Sequence, residues 1–138
     1  MDELVQWLGV QLDRDRQIAV DAKRVVGDDW VISGEEYGFI LSDGDPVAYF
    51  EGTGGGTAMS RAAAVHAAEH DPARVLREID AKRKLLDRWS ELQRRIEAET
   101  DEAKRGDLAL TRHGLDMFVY QLGTVYAGRP GYRDDWRP

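Results

Sequence analysis

One short junction, His70-Asp71-Pro72, most constrains how this chain can fold. Proline inside a helix loses a backbone hydrogen bond and clashes with the preceding turn, but it fits the first helical position. Asp71 is a good N-cap residue, because its carboxylate can accept from the free backbone N–H groups of the next turn. We therefore predict that one helix ends near His70 and that another begins at Pro72, capped by Asp71. A single helix kinked at Pro72 is the alternative.

The helix that begins at Pro72 is the longest predicted element. Apolar residues recur in it at steps of three and four, which is typical of an amphipathic helix that continues beyond Ile96. At 1.5 Å per residue it would be at least ~37 Å long. Its far half, with Trp89, Leu92 and Ile96, then needs cover from the last helix or from another chain. We expect a homodimer buried around Trp89.

Length and composition limit the functions that are open to the chain. Its 138 residues are expected to form a single domain, residues 1–138, that is large enough to bury a core. Cysteine is absent, which excludes disulfides, thiolate catalysis and zinc–thiolate sites. No apolar run reaches the ~20 residues of a membrane span, and the acidic start MDELVQW is unlike a basic signal peptide. We expect a cytoplasmic protein with no membrane partner.

The charge of the chain is negative overall but uneven. A formal charge of −7 argues against broad nucleic-acid binding, since such binding needs a basic face. From Arg74 to Arg105, however, ten Lys or Arg residues oppose eight Asp or Glu residues. Two interpretations stay open: these charges pair with the acidic ends of the chain, or residues such as Arg74 and Lys82 contact an acidic protein partner.

The first half of the chain predicts a helix followed by a sheet. The helix is expected over residues 1–27, and a three-stranded antiparallel meander over residues 28–51, because three short β-prone runs are separated by turn residues. Asp43-Gly44 is a strong hairpin signal. The glycine-rich run at 52–57 lacks the Gly-Lys-Ser/Thr of a phosphate loop and the spacing of a dinucleotide fingerprint, so it is interpreted as a flexible connector.

The second half predicts three helices and a tail. The helical part spans residues 57–126, and Thr57 or Ser60 is expected to cap its first helix. The last helix is expected from Asp107 to Tyr126, with one face formed by Leu108, Leu115, Phe118, Val119, Leu122 and Tyr126. The tail, residues 127–138, is expected to dock through Tyr132 and Trp136. The predicted class is α+β, with one long central helix.

Two histidines, His66 and His70, are the candidate metal ligands. They lie four residues apart, a spacing that lets two imidazoles on one helical face reach one ion, zinc being possible. With Glu69 they spell the inverted zincin motif, but such an enzyme also needs a third ligand and a large cleft. A structural role, in which His70 helps close a helix end, is the simpler interpretation.

The central motif also carries a resemblance. The run His66-x-x-x-His70-Asp71-Pro72-Ala73-Arg74-Val75-Leu76, the hairpin Asp43–Ala48 and the tail Tyr132–Pro138 resemble an uncharacterised family of small proteins from actinobacteria and their phages, domain of unknown function 6221. The resemblance brings no established activity, so it implies no catalytic residue. It implies that Glu69 is a variable position and that the gene travels with mobile elements, where small interaction proteins are common.

These observations favour a small cytosolic, non-catalytic binding or regulatory protein that acts through protein–protein contacts without a cofactor. A metal-dependent hydrolase that uses His66 and His70 is the alternative from a different class. A nucleic-acid-associated accessory factor, acting through the basic side of the long helix, is a further alternative.

Overall fold

The computed structural model describes residues 1–35, 37–51 and 59–138. Its elements follow in the order α1 (Asp2–Val26), β1 (Trp30–Ser33), β2 (Tyr37–Ser42), β3 (Asp45–Glu51), α2 (Arg61–Glu69), α3 (Pro72–Ala98), α4 (Glu102–Val125) and a short 3-10 helix (Asp134–Trp136). A helix, an antiparallel sheet and three further helices confirm the predicted α+β class. Ser60 caps α2 by accepting from the Ala63 amide at 3.3 Å, whereas the predicted connector at 52–57, including Thr57, lies outside the described residues.

The sheet is an antiparallel meander with strand order β1-β2-β3. Asp43 and Gly44 form the two-residue turn between β2 and β3, and both have positive φ (52° and 88°), as a type I′ hairpin requires. A register shift after Ile40 places Pro46 opposite Leu41. This bulge lets a proline, which cannot donate to the ladder, sit within an edge strand.

The chain forms two compact units. One, residues 15–79, contains the sheet, and its core is built on Ile40, Phe50 and Ala64, where the inner face of the sheet meets α2. The other, residues 1–14 and 80–138, contains α4 and the tail. Its fully buried side chains include Leu4, Leu8, Leu12, Leu92 and Val119. Helices α1 and α3 contribute residues to both units.

The tail packs on the first helix through an aromatic cluster. The Trp7 ring centroid lies 5.7 Å from that of Tyr132 and 5.4 Å from that of Trp136, which is buried. The Trp7 indole N–H also donates to the Pro130 carbonyl at 3.2 Å. Aromatic rings at these separations gain contact area and favourable quadrupole interactions, so the tail is part of the packed unit that holds α4.

Helix α4 differs from its prediction in two ways. It begins at Glu102, not at Asp107, because Asp101 accepts from the Lys104 amide at 3.1 Å and caps a charged first turn that stays in solvent. Phe118, expected on the buried face, is 61% exposed. The face that α4 buries contains Val119 and Leu122, and Tyr126, the C-cap residue that follows the helix, is buried as well.

Within the described ranges, no helix combines the length and the apolar character that crossing a membrane would require.

Candidate functional site

The junction at Asp71 ties the start of α3 to the start of β1. One carboxylate oxygen of Asp71 accepts from the Arg74 amide at 2.6 Å, which is the N-cap hydrogen bond of α3. The other oxygen accepts from the Trp30 amide at 3.4 Å. Asp71 and Pro72 are both buried. A carboxylate with this geometry acts as a structural link, since both of its oxygens already have partners.

The two histidines are close to each other and exposed. The ring centroids of His66 and His70 lie 4.3 Å apart, and His70 Nδ1 lies 2.8 Å from the His66 carbonyl oxygen. Among the residues that the structure describes, no group of three or more His, Cys, Asp or Glu side chains is arranged to hold a metal ion. A third ligand for zinc is therefore not identified there, and the metal site and the hydrolase stay predictions.

A small cavity lies beside the junction, within the unit that contains the sheet. Its volume is about 200 Å³, which is below the ~300–1,000 Å³ of usual small-molecule sites. The lining is mostly apolar and consists of Asp15, Ile18, Ala19, Ala22, Trp30, His70, Pro72 and Val75. A shallow apolar cavity of this size provides contact area rather than an arrangement of reacting groups.

The predicted interaction residues of α3 are covered within the chain. Trp89 is 2% exposed and Leu92 is 1% exposed, while Ile96 is half-buried. The Trp89 indole N–H donates to an Asp116 carboxylate oxygen at 2.7 Å, and the Arg112 guanidinium lies 5.5 Å from the Trp89 ring centroid. Because Asp116 and Arg112 belong to α4, the last helix supplies the cover that Trp89 needs. A dimer is not required to bury it.

The basic residues of α3 that were candidates for an acidic partner are engaged within the chain. Arg74 donates to the Glu78 carboxylate at 3.0 Å and to the Glu69 carbonyl at 2.7 Å. Lys82 is half-buried and also interacts with another group of the chain. Arg74 and Lys82 therefore already have interactions within the chain, and both interpretations, pairing with the acidic ends and contact with an acidic partner, stay predictions.

The outer face of the sheet is apolar and open to solvent. Side chains alternate along the strands, so that Ile40 and Phe50 point into the core while their neighbours point outward. The outward set is Val31, Tyr37, Phe39, Leu41 and Tyr49. Of these, all but the partly buried Leu41 are exposed. Phe39 and Tyr49 are cross-strand partners whose ring centroids lie 5.5 Å apart. We call this set the outer sheet face.

The outer sheet face belongs to the most acidic segment of the chain. Residues 28–60 contain seven Asp or Glu residues and no Lys, Arg or His. The other residues carry nineteen acidic and nineteen basic side chains, so this segment accounts for the entire formal charge of −7. Asp43 and Asp45 are exposed at the hairpin end, and Glu51 lies opposite Tyr37 on β3.

A family model matches residues 1–138, the whole chain. The protein belongs to a family of unknown function (DUF6221). No curated protein and no solved structure matches the chain. Membership of DUF6221 assigns no activity, so a function has to be inferred from the surfaces of the chain itself.

The outer sheet face was not predicted from the sequence, although the charge of its segment could have indicated it. Alternation in β2 and β3 predicts two faces, but it does not say which face a helix covers. The absence of any basic residue over residues 28–60 is visible in the sequence, and it marks this part of the DUF6221 protein as the region of greatest charge.

Proposed function

We propose that the protein is a non-catalytic binding module that holds a basic protein segment on its outer sheet face. The observation that carries the proposal is the combination of exposed aromatic side chains with seven acidic residues and no basic residue in the same segment. Contiguous exposed apolar surface on a soluble domain marks interaction sites, and aromatic residues are enriched where proteins bind one another.

The chemistry of the surface specifies the charge of the partner. The π faces of Phe39 and Tyr49 attract the cationic groups of Lys and Arg. The acidic side chains of the same segment would raise the rate at which a basic segment arrives and disfavour acidic competitors. A nucleic acid would be repelled by the same charges, which supports a protein segment as the ligand.

The outer face of the sheet is better suited than its edge strands to bind a basic protein segment. On the edge strand β3, Pro46 cannot donate a hydrogen bond, and the amide of Glu51 already donates to the Met59 carbonyl at 2.8 Å. On the opposite edge strand, β1, the Trp30 amide is engaged by Asp71. Each of these features occupies or removes an edge position that a further strand would need. The partner is therefore expected to bind by side-chain contacts across Phe39 and Tyr49.

Site-specific photo-crosslinking in the cells that naturally produce the protein tests this proposal. A photoreactive phenylalanine derivative replaces Tyr49, and the matched control places it at the exposed Val10 of α1. We expect position 49, but not position 10, to capture a protein whose crosslinked peptide is rich in Lys or Arg. The outcome that contradicts the proposal is capture of the same set of proteins from both positions, or of an acidic segment from position 49.

A charge variant separates electrostatic recognition from simple apolar adhesion. The triple change Asp43→Asn, Asp45→Asn and Glu51→Gln removes three negative charges and leaves the aromatic side chains in place. Capture at position 49 should fall at least tenfold, because complementary charge across the interface is lost. Undiminished capture by this variant would refute a basic partner.

A further inference from the structure

Helix α4 carries a second apolar surface, in addition to the face that it buries. The exposed positions that form it are Leu110, Gly114, Met117, Phe118, Gln121 and Val125, and we call them the α4 stripe. At 3.6 residues per turn they lie within about 100° of the helix circumference and extend over about 22 Å. The four large apolar side chains among them are between 55% and 73% exposed.

The spacing of the α4 stripe is the same in both directions along the helix. From Leu110 to Val125 its members follow at steps of four, three, one, three and four residues. In an antiparallel pair whose two-fold axis passes between Met117 and Phe118, Leu110 of one copy would therefore lie opposite Val125 of the other, and each position of the stripe would face another position of the stripe. An isologous contact between two copies needs a surface that is complementary to itself in this way.

Gly114, in the middle of the stripe, is not explained by packing within the chain. Glycine destabilises the interior of a helix relative to alanine. Gly114 does not adopt a positive φ, and apart from the adjoining helix backbone no atom of the described chain lies within 4 Å of the point where its Cβ would be. Under the two-fold axis, Gly114 faces Gln121 of the second copy. A missing Cβ there leaves room for the longer amide side chain.

The charge and the size of the stripe fit a second copy better than the basic segment proposed for the sheet. None of its six positions holds a charged residue, and residues 110–125 contain one Asp, one Arg and one His, unlike the acidic segment that contains the sheet. Its apolar side chains present on the order of 500 Å² of surface, which is the size of functional patches but less than the ~800 Å² per partner of a standard interface. A weak association, detectable at micromolar concentrations, is the expected result.

We infer that the α4 stripe is a self-association surface on which two copies of the chain pair with their α4 helices antiparallel. Met117 and Phe118 then lie at the centre of the contact, and each Leu110 packs on Val125 of the other copy. The antiparallel direction also sets the N-terminal end of each helix dipole beside the C-terminal end of its neighbour. This contact replaces the one that the sequence predicted around Trp89, which α4 already covers.

Sedimentation equilibrium on the whole protein tests whether the association exists. Between about 1 and 300 μM, a range that covers weak, small interfaces, the mass should rise from 15.6 kDa towards twice that value. Met117→Asp should raise the dissociation constant at least 100-fold, because it buries an unpaired charge at the centre of the contact. Val10→Asp, on an exposed residue of α1, is the matched control and should leave the dissociation constant unchanged. A mass of 15.6 kDa at every concentration, or an equal effect of the two variants, would overturn the inference.

Cysteine crosslinking tests the direction of the helices, and the chain offers a clean background because it has no cysteine. Leu110→Cys and Val125→Cys are made as separate proteins and then mixed under mild oxidation. A disulfide requires Cα atoms within about 7 Å, so the antiparallel pair should form a mixed disulfide while neither variant crosslinks with itself. Crosslinking of each variant alone would indicate parallel helices, and no crosslinking in the mixture would indicate a different surface. Either result would overturn the antiparallel pairing.

Discussion

The outer sheet face and the α4 stripe are both apolar and exposed, yet the charge of the sequence around them differs. Residues 28–60, which include the sheet face, contain seven acidic residues and no basic one, whereas residues 110–125, which include the α4 stripe, contain one Asp, one Arg and one His. Exposed apolar surface indicates that something binds, and the charge around it indicates what binds. On this reasoning we propose a basic segment as the partner of the sheet and a second copy of the same chain as the partner of α4.

The largest expected effect is a loss of stability, and it comes from substitution of a residue that belongs to neither surface. Trp89→Ala should cost about 3–5 kcal/mol in the free energy of unfolding, because a buried indole and its hydrogen bond to Asp116 are lost. Phe118→Ala, in the exposed stripe, should cost less than about 0.5 kcal/mol. Urea unfolding measures both. If Trp89→Ala instead leaves the monomer stable and only prevents dimer formation, then Trp89 belongs to an interface and the assignment to α4 is wrong.

Salt should weaken partner binding at the outer sheet face without weakening self-association through the α4 stripe. We expect the size of this effect to lie between those of the other two predictions. Raising NaCl from about 0.1 M to about 1 M shortens the Debye length from ~10 Å to ~3 Å, which screens exposed charges. Crosslinking from position 49 to the basic partner should fall at least tenfold. The sedimentation mass should not fall, since the α4 stripe is uncharged and salt also screens the repulsion between two copies of formal charge −7. A parallel loss of both associations would show that charge does not distinguish the surfaces.

The smallest expected effect is a small, pH-dependent change in melting temperature that involves Asp28, at the start of the acidic segment. A hydrogen bond from Lys23, at 2.5 Å, together with the attraction of its charge, holds the pKa of Asp28 below its usual 3.8. Because the folded pKa is the lower one, the stabilisation is present above pH 3.8 and is lost as the pH falls through the folded pKa. Lys23→Met should therefore lower the melting temperature slightly at pH 7 and not at about pH 2, as thermal scans at the two pH values would measure.

Asp28→Asn serves as the companion variant for that measurement. It should lose the same small stabilisation at pH 7, and adding Lys23→Met to it should have no further effect. A clear additional loss in the double variant would mean that Lys23 stabilises the protein through another contact.

The parts of the fold that follow local rules could be predicted from the sequence. Asp71-Pro72 specifies a helix start by stereochemistry alone, and α3 begins at Pro72. Asp43-Gly44 specifies the hairpin in the same way. The start of α4 was harder to predict. The charged residues before Asp107 resemble a loop, but Glu, Ala, Lys and Arg are good helix formers, and the helix includes them.

The candidate sites depended on tertiary contacts and so could not be read from periodicity. The apolar pattern of α3 predicts that Trp89 is buried, but it does not distinguish cover by α4 from cover by another chain. Similarly, Phe118 and Val119 are adjacent apolar residues, and the direction from which neighbours pack on α4 decides which of the two is exposed.

The Asp71 carboxylate has a consequence for local opening of the structure. Its two oxygens hold one amide of the strand, that of Trp30, and one amide of the helix, that of Arg74. Rotation of this single side chain would break both hydrogen bonds at once. In deuterium exchange the two amides should therefore report the same opening event, although they are far apart in sequence. The strand and the helix would in this way open cooperatively, as one small foldon centred on Asp71.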